Sequence, residues 1–330
     1  MRTNSGTLEV TLKLLAPLSH IGESHGTDSY LDTQTIIGPN GKPVEVFAYH
    51  GNAFRGMLRD YGAKYLLNKL ASGQATIQVP LDIFYLLFSG GALGGDQRID
   101  IDQARRIRNA IPLLSVFGGG VGNQILPGKV RFNDLWPVCA ETQHLLPDEL
   151  KDSMALSWRI MTTERNFSRK DDAKDENLRP YLVPDFDTPA LPGQQSFIEV
   201  EEKKEAKQRD PQQMRYTIEC LAAGSVLWGK IFVMDMTDIE LGALTSAIAE
   251  WSKFPFVGGQ NRIGFGHVEA DFTWNPVGQK AEPFATIAQG VTLALGPKAQ
   301  EAKQAYDQFL QAYATYLEEN KASLAKMIAG

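Results

Sequence analysis

The sequence has few cysteines, no excess of positive charge and no long hydrophobic run, and each shortage excludes a class of protein. Its 330 residues include two cysteines, Cys139 and Cys220. Two thiols cannot build the disulfide framework of a small secreted domain, and they cannot complete a zinc site without closely spaced histidines. Both cysteines lie in apolar stretches, so we expect reduced, buried thiols in a cytoplasmic protein.

The sequence also lacks net positive charge. It contains 33 Lys and Arg and 39 Asp and Glu, which gives a formal charge of -6. This balance argues against a generic nucleic-acid coat protein, since neutralising phosphates requires Lys and Arg. Local basic stripes remain compatible with it. The longest apolar run, residues 79–88, contains Asp82 and is too short to cross a bilayer.

The patterns that are present predict a mixed chain of strands and helices. Alternating apolar residues over Leu8–Leu14 predict a half-buried strand, and a polar loop is expected from His20 to about Pro43. Helices are expected over 52–70 and, after a Thr237–Glu240 capping box, over 238–252. Between the helices, YTIECLA and SVLWGKIFVM predict two strands around a glycine.

This order of elements predicts an α+β fold with a ferredoxin-like (RRM-like) core, in which two helices cover one face of the sheet. Residues 1–159 and 215–275 are expected to form the two parts of that core, the first with Gly-rich loops and helical insertions. Residues 160–214 are highly charged and predict an insertion. Residues 276–330 predict a helical C-terminal extension, with an amphipathic helix over 302–328.

Two clusters of glycine or arginine suit the binding of phosphate. In GGQNRIGFGH, Gly259 and Gly264 allow close approach of backbone N–H groups, and Arg262 adds a bidentate donor, although a tight hairpin explains the glycines equally well. Arg55 and Arg59 share a helix face near an N-terminus that Asn52 is expected to cap. An anion would offset their unfavourable position on the helix dipole, whereas the alternative is a solvated face.

Two further groups are weaker candidates. Arg165, Phe167 and Arg169 place an aromatic ring among basic residues, which suits stacking on unpaired bases, or they belong to a solvated loop. His20 and His25, with Glu23 and Asp28 nearby, suggest a metal site or acid–base chemistry, but their spacing fits no helical His pair. The remaining histidines show no recognisable spacing, and they are His50, His144 and His267.

Four segments taken in order resemble the RAMP proteins of CRISPR systems, over roughly residues 8–273. They are LKLLAPLSHIG, HGNAFRGMLR, LLSVFGGG followed by GKVRFNDL, and GGQNRIGFGHV. Within that superfamily the sequence is most similar to type IV backbone subunits, which multimerise along a guide RNA. The sequence AYHGNAFRGMLRDY stands where a Pro-Gly-Ser-Ser-Leu-Lys-Gly motif is commoner.

The resemblance implies a hand-shaped protein with a ferredoxin-like palm and a thumb within 160–214 that displaces guide bases. Its partners would be the guide RNA, target nucleic acid through guide pairing, further copies in a helical filament and other complex subunits. No cofactor and no metal are expected. The implied RNA-contacting residues are His20, Asn52, Arg55, Arg59, Arg165, Phe167, Arg169, Gly259, Arg262 and Gly264.

Two other functions stay open at this point. The first is a ribonuclease of the same superfamily, which would cut target RNA with a metal at Asp32 or process the guide with His20 or His25. Flanking residues depart from the pattern of RNA-cutting relatives, so we expect Asp32 to be non-catalytic. The second is an assembly protein built on the C-terminal helix without nucleic-acid contact. For guide binding, Arg55→Ala or Arg59→Ala should weaken affinity equally for all guide sequences.

Overall fold

The computed structural model describes residues 3–71, 78–91, 101–121, 124–152, 154–169, 214–288, 290 and 292–319. Its strands are β1 (Asn4–Leu14), β2 (Ile21–His25), β3 (Asp28–Leu31), β4 (Thr33–Ile37), β5 (Pro43–Phe47), β6 (Gly119–Val121), β7 (Gln124–Leu126), β8 (Val130–Phe132), β9 (Trp136–Pro137), β10 (Thr162–Arg169), β11 (Met214–Leu221), β12 (Val226–Met236), β13 (Val268–Pro276), β14 (Glu282–Ala288) and β15 (Thr292–Leu295). Its helices are α1 (Gly51–Leu70), α2 (Leu81–Phe88), α3 (Ile101–Ala110), α4 (Pro112–Phe117), α5 (Asp238–Trp251) and α6 (Pro297–Glu319).

The central antiparallel sheet has the order β15–β14–β13–β1–β12–β8, and β9 also pairs with β12. Within this sheet, α1 lies in the connection from β1 to β8, and α5 lies in the connection from β12 to β13. Leu14 pairs with Val268, and Lys13 pairs with Val226, so β1 ends where β12 and β13 begin. The N-terminus of α1 and the loop before β13 therefore meet at one end of the sheet.

Strand β1 confirms the predicted alternation. Leu8, Val10, Leu12 and Leu14 are buried beneath the helices. On the opposite face, charged side chains pair across neighbouring strands, with Glu9 Oε1 3.2 Å from Lys230 Nζ and Lys13 Nζ 3.3 Å from Glu269 Oε2. The two faces of the strand differ because one packs against helices and the other contacts water.

All three predicted helices form, and the boundary changes most for the C-terminal one. Helix α5 begins with the predicted capping box, in which Glu240 N donates to Thr237 Oγ1 at 3.2 Å. Helix α6 starts at Pro297, five residues before the predicted start, because proline suits the first turn of a helix. It packs closely on α5 at Gly242, where a Cβ would lie 2.1 Å from the Ala302 carbonyl oxygen. Residues 320–328 of the prediction lie outside the described residues.

A second sheet, with the order β10–β11–β3–β2, corrects two expectations. The polar segment 20–43 is not a loop, since it forms β2, β3 and β4. Strand β2 pairs with the adjacent β3, and β4 pairs with the adjacent β5, while β3 also pairs with the distant β11. The two strands predicted around Gly224 both form, but β11 enters the second sheet while β12 enters the central one.

The chain is thus an α+β protein, as predicted, with several antiparallel sheets and helices packed on one face of the largest. Both cysteines are buried free thiols, which agrees with the sequence. In the described part of the chain, no helix combines the length and the apolar character needed to cross a bilayer.

Candidate nucleic-acid interface

The Gly-rich loop between α5 and β13 is bonded to the segment that follows β1. Gly259 N donates to the carbonyl oxygen of Ser19 at 2.7 Å. Gly266 has a φ of +75°, and a Cβ there would lie 1.8 Å from the Val257 carbonyl oxygen, so only glycine fits. These contacts fix the base of the loop and leave its tip, with the exposed Arg262, directed to solvent.

The tip of the loop is a single turn with left-handed backbone at both ends. Asn261–Ile263 form the turn, with φ +59° at Gln260 before it and φ +86° at Gly264 after it. A Cβ at Gly264 would meet nothing within 4 Å, so backbone conformation and not crowding favours glycine here. The N–H groups of Gly259 and Gly264 already donate to the Ser19 and Asn261 carbonyl oxygens. The loop therefore offers the exposed Arg262 side chain to a sugar–phosphate strand.

Two arginines of α1 point at the last carbonyls of α4. Arg59 Nη2 donates to the carbonyls of Phe117 at 2.8 Å and Gly118 at 3.0 Å, and Arg55 also donates to Phe117. These carbonyls lie at the negative end of the α4 dipole, where a cation is favourable. Burial lowers the pKa of both guanidinium groups, and the charge of Arg55 lowers the pKa of Arg59 further.

Burial corrects the expectation for Arg59. Its side chain is only 9% exposed and is held by protein carbonyls, so it cannot touch a bound RNA directly. Arg55 lies nearer the helix start and is partly exposed. The four-residue spacing correctly placed both arginines on one helix face. Spacing alone does not show that Arg59 lies at the buried end of that face and Arg55 at its exposed end.

Asn52 does not cap α1, contrary to the prediction. The helix begins at Gly51 after His50, and Gly51 N donates to Asp134 Oδ1 at 2.8 Å. A carboxylate from a distant segment therefore caps the helix, which the local sequence cannot indicate. Asn52 is exposed in the first turn, where its Oδ1 accepts a long hydrogen bond from Arg55 Nη1 at 3.4 Å.

Three side chains from separate parts of the chain meet beside the N-terminus of α1: His20, Asp32 and His50. His50 Nε2 lies 2.6 Å from Asp32 Oδ2, while His50 Nδ1 lies 3.0 Å from Gln34 Nε2 and 3.5 Å from Asp134 Oδ1. The His20 ring packs edge-on to the His50 ring at 5.2 Å. Two imidazoles and a carboxylate in this arrangement can exchange a proton or hold a cation.

This grouping differs from the one that the sequence suggests. The sequence groups His20 with His25, but His25 is exposed on β2, 3.5 Å from Glu23, and lies outside the cluster. Sequence spacing does not identify His50, because strand pairing brings it to His20. Burial first, and the adjacent His50 second, lower the pKa of His20, which keeps its ring neutral near pH 7.

The predicted stacking segment lies on β10, next to the Gly-rich loop. Phe167 stacks on Tyr216 with ring centroids 5.4 Å apart, and its ring lies 6.1 Å from that of Phe265. The ring is thus already engaged and joins the β10–β11 hairpin to the loop, whereas Arg165 is exposed. Arg169 ends β10, and its side chain, like all of 170–213, lies outside the described residues.

Contacts join these pieces into one surface. Tyr49 connects the N-terminus of α1 to the loop, since its hydroxyl accepts from Gly258 N at 3.4 Å and its ring lies 5.0 Å from that of His20. Arg262 is exposed on the loop itself, Arg165 is exposed on β10, and Arg55 is partly exposed in the first two turns of α1. We call this the loop–helix surface, and it consists of His20, Asn52, Arg55, Arg165, Gly259, Arg262 and Gly264.

Two solved structures align with most of this chain. A chain from a type IV-B CRISPR complex has a similar fold, with a TM-score of 0.54 and 16% identity, covering 81% of this chain and 90% of that chain. The crystal structure of Thermofilum pendens Csc2 aligns with 98% of this chain and 80% of its own, at a TM-score of 0.37 and 12% identity. At these identities the first likeness concerns the fold alone.

Sequence comparisons give a family and no individual relative. No curated protein matches the chain. A family model for the RAMP superfamily matches residues 11–269, from within β1 into the start of β13. It therefore covers β8, β12, α1, α5 and the whole loop–helix surface. Because this match spans most of the sequence, the chain belongs to the RAMP superfamily.

Proposed function

We propose that this chain is a guide-RNA-binding backbone subunit of a type IV CRISPR effector complex in the cytoplasm. Membership of the RAMP superfamily and the fold shared with a chain of a type IV-B CRISPR complex support this proposal. The observation that carries it is the loop–helix surface, which combines exposed Arg262 on the Gly-rich loop with partly exposed Arg55 on α1. Such a surface suits a strand of phosphates.

In this proposal the ferredoxin-like palm consists of four strands and two helices, in the chain order β1, α1, β8, β12, α5 and β13. The strand order β13–β1–β12–β8, with two crossover helices on one face, supports it. The thumb is 160–214, and the paired strands β10 and β11 are its base, so the second part of the palm, expected over 215–275, begins after β11. Residues 1–159 contain the first part of the palm. The extension over 276–330 is not purely helical as expected, since it adds β14 and β15 to the central sheet before α6.

The binding mode follows from the side chains available. Arginine contacts with phosphates supply affinity without reading bases, which suits a subunit that must accept guides of any sequence. Arg59 supports this surface indirectly by fixing α1 to α4. Further copies of the chain extend the contact along the guide into a filament, other subunits complete the complex, and target nucleic acid binds by pairing with the guide.

The test measures how Arg262→Ala changes binding to single-stranded RNAs of unrelated sequence. We expect weaker binding by the same factor for every sequence, and a salt slope smaller by about 0.7 for each phosphate that the variant no longer neutralises. The matched control is Lys280→Ala, because Lys280 is exposed between β13 and β14 at the opposite end of the sheet. Unchanged binding by Arg262→Ala, or an equal loss in the control, would overturn the proposal.

One observation favours a second function, a ribonuclease that uses Asp32. The 2.6 Å contact between His50 Nε2 and Asp32 Oδ2 joins a carboxylate to an imidazole next to the surface proposed for RNA. We propose that the chain binds RNA without cutting it. Labelled guide precursor and target RNA should therefore stay intact with and without Mg²⁺, whereas a specific cut that Asp32→Asn abolishes would establish the ribonuclease.

A further inference from the structure

We propose that His20, Asp32 and His50 form a binding site for a divalent transition-metal cation such as Zn²⁺ or Co²⁺. One donor atom from each residue lies within 4.8 Å of the other two. The His50 and Asp32 side chains are 33% and 26% exposed, so protein surrounds the site while an ion can still reach it. This inference goes beyond the proposed function, because it requires no RNA.

The backbone already holds the three donors together. Asp32 N donates to the His20 carbonyl oxygen at 2.8 Å, which ties the end of β3 to the segment after β1. His50 N donates to His20 Nε2 at 3.4 Å, a long and weak bond that a cation can replace. His50 is also the residue from which α1 begins, so a rigid helix fixes its position.

The spacing of the donors is close to what such an ion needs. With bonds of about 2.0–2.2 Å, neighbouring ligand atoms around a tetrahedral cation lie about 3.3–3.6 Å apart. The His50–Asp32 pair, at 2.6 Å, would open slightly, and the other pairs, within 4.8 Å, would close. Side-chain rotation is enough for these shifts, since all three side chains are partly exposed.

A second layer of polar groups fits a metal-bound His50. When Nε2 of His50 binds an ion, its proton is lost from that atom and Nδ1 takes up one from solvent, so the ring stays neutral. The Nδ1–H then faces Asp134 Oδ1, now 3.5 Å away, and the Gln34 amide, whose Nε2 now lies 3.0 Å from Nδ1, must turn so that its oxygen accepts. A carboxylate in the place of Asp134 orients a metal-binding imidazole. Asp134 is itself held by Gly51 N at 2.8 Å.

The donor types select the class of ion. Imidazole nitrogen suits Zn²⁺, Co²⁺ and Ni²⁺, whereas Mg²⁺ and Ca²⁺ prefer sites built from oxygen. Two nitrogens and one carboxylate therefore favour the first group. Three protein ligands leave a fourth position for water, as at other half-open sites of this kind.

The experiment titrates the untagged, chelator-treated full chain with Co²⁺ and Zn²⁺ by calorimetry, by visible absorbance of Co²⁺ and by thermal unfolding. We expect one ion per chain and a higher Tm with Zn²⁺, and no effect of Mg²⁺ at the same concentration. His20→Ala should abolish binding, and Asp134→Asn should weaken it about 10- to 100-fold. The matched control is His25→Ala, which removes an exposed histidine outside the cluster and should bind normally.

Several outcomes would overturn this inference. They are no binding of Co²⁺ by the folded chain, binding that survives in folded His20→Ala, and binding that is lost in His25→Ala. The titration of the unsubstituted chain decides the question even where a variant does not fold. Because the assay contains no RNA, its result is independent of the Arg262→Ala test of the proposed function.

Discussion

Replacing Arg59 with alanine is expected to destabilise the fold while leaving the RNA-contacting groups in place. The change removes hydrogen bonds of 2.8 Å to the Phe117 carbonyl and 3.0 Å to the Gly118 carbonyl. Phe117 keeps the bond from Arg55, so among the described residues the Gly118 carbonyl is the one that loses its side-chain donor. A hydrogen bond to a charged group contributes about 1.5–3 kcal/mol, so two of them set the gross loss.

Two effects reduce this loss. Alanine removes a buried cation, whose burial is unfavourable, and it removes the repulsion between Arg55 and Arg59 that lowers the pKa of Arg59. The Nε atom of Arg59 also has no hydrogen-bond partner among the described residues, so nothing is lost there. We therefore expect the free energy of unfolding to fall by about 2–3 kcal/mol, less than the sum of both bonds.

The assay combines urea unfolding with RNA binding at a temperature where the variant is folded. Arg59→Ala should lower the urea midpoint, and its folded fraction should bind RNA with a nearly unchanged salt slope. Arg262→Ala should do the opposite, since Arg262 is exposed on a loop. A normal urea midpoint for Arg59→Ala together with a reduced salt slope would refute this division between a buried and an exposed arginine.

Two further predictions concern buried titratable groups. Burial in the folded chain lowers the pKa of His20 below its ordinary value of 6.5. The unfolded chain therefore binds this proton more readily than the folded chain does. The free energy of unfolding is retained above about pH 6.5 and falls as the pH decreases below it. Urea midpoints at about pH 5.5 and about pH 7.5 should differ less in His20→Asn than in the unsubstituted chain, and an equal difference would contradict this. Tyr306 is 1% exposed, and its hydroxyl has no hydrogen-bond partner in the described part of the chain. Tyr306→Phe should therefore raise the free energy of unfolding by about 1 kcal/mol in urea unfolding, and a loss of stability would reveal an unrecognised partner.

Local patterns predicted the elements that depend on local physics. The alternation of β1 and the Thr237–Glu240 capping box of α5 were both confirmed, because burial of one strand face and satisfaction of the first helical N–H groups act over a few residues. Strands β2, β3 and β4 were missed although β2 pairs with the adjacent β3 and β4 with the adjacent β5, since their sequences contain few apolar residues in alternation. The pairing of β3 with β11 joins positions far apart in the chain, which a local pattern does not indicate.

In the candidate site, too, the features that depend on local sequence were predicted and those that depend on long-range contacts were not. The turn at Gly264 was predicted from sequence, because glycine acts there through its own backbone, while RNA contact by Arg262 stays a prediction. The capping of α1 by Asp134 and the approach of His50 to His20 depend on long-range contacts, and no spacing rule connects those positions. Arg59 shows what helical periodicity does not predict. The period assigns a residue to a face of the helix, but it does not tell how deeply that residue is buried.

The most direct test of the central claim is ultraviolet cross-linking of the full chain to single-stranded RNA, followed by mass spectrometry of the linked peptides. The claim is that RNA lies on the loop–helix surface. We predict cross-links within residues 255–267 and 49–55, for RNAs of unrelated sequence. Cross-links confined to the charged outer face of the central sheet, around Glu9 and Lys230, would contradict it, as would the absence of any cross-link.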